Sequence, residues 1–175
     1  MIDVRFPTAL QIMLSLAMAE KHSAPWLSST QLAEGLGANP SFVRKLLVPI
    51  VQSKMIESQM GKAGGVRLAR SASKITLRDI YSAVTADTKI WSARTGIPHR
   101  CLVSSNVQAY FEDLVDDAQE AILGVLGKQT LQQALTELEK REGSKVKLRA
   151  RTTDPLARTH SAKGPRSKTV EQLED

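Results

Sequence analysis

The side chains best suited to holding a polyanion fall in one stretch, residues 29–67. Ser41, Phe42, Arg44 and Lys45 cluster at the start of an apolar-striped segment, where Arg44 or Lys45 can donate to a guanine edge or hold a phosphate. A glycine-rich string follows, with Lys62, Gly64, Gly65 and Arg67. Glycine lets a backbone close on a phosphate, and arginine gains from the negative potential of a narrowed minor groove. Ahead of both, Ser29, Thr30 and Gln31 can add amide and hydroxyl donors at the mouth of a helix. Cations like these form a merely solvated surface in many proteins. Their order along the chain is what singles them out.

A second kind of chemistry is open to Cys101, the one cysteine of the chain, which lies beside His99 and Arg100. Two readings stand for it. It is a small apolar residue at the foot of a long helix, or it is a thiol whose basic setting lowers its pKa so that it senses oxidants. Metal binding is not expected, because His22 and His160 lack ligand spacing and one thiol with His99 is too few donors. Catalysis is not expected either, since no acidic pair and no nucleophile–base cluster is present. Trp26 and Trp91 read as gap fillers near the core.

Local sequence rules predict the elements that carry these residues. Leu10, Met13, Leu14, Ala17 and Met18 recur at helical spacing over 7–22. Ser28 to Gln31 is a capping box opening a helix over 30–36, closed by Gly35 and Gly37. Asn39-Pro40 is an N-cap followed by proline at the first helical position, which starts a helix over 40–53. Phe42, Val43, Leu46, Leu47 and Ile50 form its buried stripe, leaving Ser41, Arg44, Lys45 and Val48 outside, and Pro49 ends its secure part. Residues 55–60 and 66–70 flank the glycine turn as a hairpin. Thr76 with Asp79 opens a helix to about 86, and 87–100 is a loop. Over 104–126 an apolar stripe of Val107, Phe111, Leu114, Val115, Ala118, Ile122 and Val125 runs too long to be covered by a small domain. A second copy of the chain is its expected cover. A short helix over 130–141 precedes a basic tail expected to be disordered.

The fold class expected is mainly α, a winged helix-turn-helix domain with a long C-terminal dimerisation helix. Its parts are residues 1–86 for DNA binding, 87–103 as the loop with Cys101, 104–142 for dimerisation and 143–175 as the tail. A formal charge of +6 over 175 residues favours polyanionic partners, and an aromatic content of 4% disfavours base stacking on exposed rings, leaving duplex DNA ahead of RNA. No run of about 18 apolar residues marks a membrane span, and the start lacks a clear cleavage signal, so a cytoplasmic location is expected. For the tail, added non-specific DNA affinity through counterion release and simple solubility are both open.

The string GKAGGVRLAR at 61–70 followed by ITLRDI at 75–80 closely resembles the wing and next helix of the Rrf2 family of bacterial regulators. The resemblance extends over about residues 1–140, through 27–36, Cys101-Leu-Val, Ala118 to Ala121 and Thr130-Leu131. It implies a dimer about the long helix, and repression or activation at operator DNA. Some members hold an iron–sulfur cluster on three cysteines before that helix; with Cys101 alone, this chain is similar to the cluster-free branch, and no cofactor is expected. The expected function is a homodimeric, sequence-specific DNA-binding repressor, redox-responsive through Cys101. The alternative is a winged-helix protein-interaction module, for which the long apolar helix is equally suited.

Overall fold

The computed structural model describes residues 3–23, 26–61, 64–85, 88–98 and 100–153, the last eight of these by their backbone alone. Lys62 and His99 lie outside the described residues, as does the tail from 154 onward. The chain divides into two units, Met1–Thr136 and Glu137–Asp175.

The first unit is built on α1 (Arg5–Lys21), whose Ala9, Ile12, Met13, Leu16 and Ala17 are buried. Leu10, Leu14 and Met18, expected on the inner stripe, are only partly buried. The helix packs against several other elements. Its core face is therefore broad and centred on Ile12 and Leu16, where a single-stripe reading places too narrow a seam. At its start Phe6 meets Tyr81 edge to face, ring centroids 5.2 Å apart.

Both predicted capping signals of the next helices are formed. In α2 (Ser29–Leu36) the Gln31 N–H donates to Ser28 Oγ at 3.2 Å and the Ser28 N–H donates to Gln31 Oε1 at 2.9 Å. Gly37 closes it in the left-handed conformation, φ +60°. In α3 (Pro40–Gln52) Asn39 Oδ1 accepts the Ser41 N–H at 2.8 Å. The helix runs through Pro49 to Gln52, within a residue of the expected 40–53. Proline removes one ladder bond, but buried Ile50 holds the last turn in the core.

Strands β1 (Ile56–Gln59) and β2 (Gly65–Leu68) form an antiparallel hairpin with Ile56 opposite Leu68 and Gln59 opposite Gly65. Leu27 bridges to its side: Leu27 N–H donates to Val66 O at 3.0 Å, and Val66 N–H donates to Leu27 O at 2.9 Å. The mouth of α2 is thus tied directly to the hairpin.

After a 3₁₀ turn at Ala72–Lys74, α4 (Leu77–Thr85) opens on the expected Thr76–Asp79 box, with bonds of 2.9 and 3.1 Å. The described part of 88–98 has neither helix nor strand. Trp91 in it is 53% exposed, so it does not fill a core gap. Helix α5 (Leu102–Gly127) has 26 residues, about 39 Å of rod. α6 (Leu131–Thr153) begins in the first unit, where Leu131 and Leu135 join the core, Leu131 N–H donating to Ile75 O at 2.8 Å. It runs well past the expected end at 141. One glycine costs a helix only about 1 kcal/mol, and the Lys, Leu, Arg and Ala that follow Gly143 are good helix formers. Residues 143–153 are therefore helical and not part of a disordered tail. Among the described residues no helix is long and apolar enough to cross a membrane.

Candidate nucleic-acid interface

Helix α3 turns Val43, Leu46, Leu47 and Ile50 into the core, which leaves Ser41, Arg44, Lys45 and Val48 on the open side, as its period requires. Arg44 Nη2 donates to Ser41 Oγ at 3.3 Å, so the guanidinium stays over the N-terminal end of the helix. Phe42 differs from the other expected contacts. It is half-buried and packs on the core, bracing the helix more than presenting a surface.

Between α3 and the hairpin lies a groove of about 630 Å³. Arg44, Val48 and Gln52 form one wall and Ser58, Gln59 and Met60 the other, with Gly64 and Gly65 on the same side and Ser28 and Ser29 closing one end. Residues expected on three separate segments thus meet around one space, because the Leu27–Val66 bridge locks α2 to the wing. Gly65 is required there: a Cβ would stand 2.6 Å from Leu27 O. A Cβ on Gly64 would collide with Gln59 O, across the turn that Gly64 N–H closes on Gly61 O at 2.9 Å. Thr30 and Gln31 are exposed beside the groove, but the Gln31 carbonyl and backbone amide are engaged in the cap. Lys45 is exposed outside the groove lining.

Arg67 is not brought to this groove. Its guanidinium bonds Glu57 directly across the hairpin and lies over the Trp26 ring, 4.6 Å from the centroid. Among the groove-lining residues outside the expected set are Met60, 99% exposed at the wing tip, and Gln59 beside it. Both read in the sequence as strand-end residues; an apolar side chain next to a glycine turn was the available sign.

Cys101 occupies the N-cap position of α5 and is exposed in the single chain. Ser104 Oγ lies 3.4 Å from its sulfur and accepts the Cys101 N–H at 3.0 Å. The thiol pKa is lowered, first by the Ser104 hydroxyl and then by the Ser104 and Val103 backbone amides. The largest cause is thus the Ser104 hydroxyl, with the amides at the open end of the helix behind it. On α5 itself Val107, Leu114, Ile122 and Val125 are exposed, and so are Leu102, Val103 and Tyr110, which were not among the expected contacts. Phe111 and Ala118 are half-buried, and Val115 is already buried within its own chain, beside the loop that carries Trp91.

The profile of the Rrf2 family, described as an iron-dependent transcriptional regulator, matches residues 2–137. The chain belongs to the Rrf2 family. Among its Rrf2-like relatives is YwnA of Bacillus subtilis, described as a candidate HTH-type transcriptional regulator, 23% identical over 138 residues that cover 79% of this chain and 99% of YwnA. A candidate transcriptional regulator from Lactobacillus plantarum has a similar structure, with a TM-score of 0.67, 20% identity, and coverage of 79% of this chain and 91% of its own. IscR of T. potens is similar at a TM-score of 0.57, with 20% identity and coverage of 81% and 90%. The Rrf2 chain is thus a transcriptional regulator of winged-helix fold and not an enzyme.

The family description raises iron, and the donor set of this Rrf2 chain does not fit it. An iron–sulfur cluster needs several thiolates or imidazoles, whereas the sequence has one cysteine. Among the described residues no group of three or more His, Cys, Asp and Glu could hold a metal ion.

Proposed function

We propose that this Rrf2 protein is a sequence-specific, DNA-binding repressor that acts as a homodimer in the cytoplasm. Residues 1–86 bind the operator, 104–142 dimerise, and 87–103 link the two. Helix α3 enters the major groove, with Arg44 and Lys45 as its base or phosphate contacts and Ser41 beside them, while the wing with Lys62, Gly64 and Gly65 crosses the backbone or minor groove. The observation that carries this reading is the groove in which Arg44, the glycine wing and the Ser28–Ser29 helix mouth face one space. Arginine, glycine turns and helix mouths all suit phosphate or base edges, and the Leu27–Val66 bridge ties the helix mouth to the wing.

The test is a salt series of promoter-DNA shifts followed by footprinting. Protection of one pseudo-palindromic site at low salt is expected; complete absence of binding by an intact dimer would overturn the reading and leave an interaction module.

The exposed Cys101 supports a redox input. Its thiolate attacks peroxide, the O–O bond breaks, and sulfenic acid and hydroxide result, the thiol sulfur being oxidised by two electrons and the peroxide reduced. Operator affinity is expected to change after mild peroxide in the wild type and not in Cys101→Ser. Equal responses would end this part of the proposal.

A further inference from the structure

The positive charge of the chain is concentrated outside its family-matched part, which ends at residue 137. Residues 140–168 hold ten of the 24 Lys and Arg and two of the 18 Asp and Glu, a local +8 in a chain of +6. Everything else therefore sums to −2, so the groove residues act within a body that is not itself basic. The first six of these cations, Lys140, Arg141, Lys145, Lys147, Arg149 and Arg151, fall on the continuous part of α6. Arg141, Lys145 and Arg149 follow one another at four-residue spacing. Exposed ion pairs engage two of them, Arg141 with Glu137 at 2.9 Å and Lys145 with Glu142 at 4.0 Å. Such pairs are worth under about 1 kcal/mol and exchange readily for a phosphate.

We propose that this basic extension of α6 is a second, sequence-independent contact to duplex DNA. It binds the phosphate backbone while the groove reads the operator. The inference rests on the DNA-binding reading above. A duplex carries about one charge per 1.7 Å, and each phosphate neutralised releases condensed counterions. The four-residue spacing of Arg141, Lys145 and Arg149 lines these positions along one face of a helix, which suits that target. Membrane surfaces are disfavoured, because an interfacial helix needs an anchoring apolar face and 140–168 contains no Phe, Tyr or Trp.

The test uses the full chain with Lys145→Gln, Lys147→Gln, Arg149→Gln and Arg151→Gln together, glutamine keeping helix propensity. Affinity is measured by fluorescence anisotropy across a salt series, on a 60-bp footprinted promoter duplex and on a scrambled 60-bp duplex. Circular dichroism and sedimentation verify fold and assembly. The slope of log affinity against log salt is expected to become shallower by about 0.9 per phosphate released, two to four per chain, with equal loss on both duplexes. Charge-keeping Lys145→Arg with Lys147→Arg retains the wild-type slope. An unchanged slope in the glutamine variant, with operator binding intact, overturns the arm and spares the regulator reading. Loss confined to single-stranded RNA or to phosphatidylserine vesicles also overturns it. Failure of the wild type to hold either duplex at low salt overturns both readings.

Discussion

Arg44 stands at the point where α3 meets the groove, and Arg44→Ala should cost about 1–3 kcal/mol of operator discrimination, or about 5- to 150-fold in affinity. Because its side chain is exposed, the melting temperature should stay within a degree or two. A loss of the same size on scrambled DNA would make it a phosphate contact instead. Ser104 holds the thiol of Cys101 below its ordinary value, so Ser104→Ala should raise that value and leave less thiolate at any given pH. The half-rate point of iodoacetamide alkylation should then move to higher pH than in the wild type. An unmoved profile would assign the shift to the backbone amides alone. Arg44 was legible in the sequence because the helical period alone settles which side of α3 it occupies. Arg67 was not. Its partners Glu57 and Trp26 reach it only through hairpin register and the Leu27–Val66 bridge, which are non-local.

Helix starts were legible for the same reason that single residues on α3 were: caps are local chemistry. Ser28, Asn39 and Thr76 each close a bond within three residues of themselves, so the beginnings of α2, α3 and α4 follow from short strings. The end of α6 was not legible. Gly143 weakens a helix without stopping it when the residues beyond it are strong helix formers. The wing tests how firmly the elements are joined. Gly65→Ala would force a Cβ against the Leu27 carbonyl, with oxygen and carbon at 2.6 and 2.7 Å, and both are backbone atoms that cannot rotate away. Calorimetry should show destabilisation of about 1–3 kcal/mol together with loss of operator binding. Gly35→Ala in α2 meets nothing within 4 Å and should be neutral or stabilising by up to about 1 kcal/mol. If both variants melt alike, the bridge does not set the groove.

A chain with one exposed apolar rod needs a second surface to cover it, and at this scale the prediction concerns assembly. Leu114, Ile122 and Val125 stand open on α5 while Val115 between them is already covered. An unburied aliphatic side chain forgoes about 1.5–3 kcal/mol, and in a two-fold dimer each such residue counts twice. Leu114→Glu should therefore weaken association by several kcal/mol, because each chain would bring a carboxylate into the apolar interface. Sedimentation at micromolar protein should change from a dimer of about 38 kDa, twice the 19.1 kDa chain, to the single chain. Helix content should persist, because the side chain is exposed before association. DNA binding should fall with it: two recognition helices read half-sites about one helical turn apart, and separate chains lose that coupling. A variant that stays dimeric would move the interface to Leu102, Val103 and Tyr110 at the other end of the helix. A wild type that sediments as a single chain would refute the dimer itself.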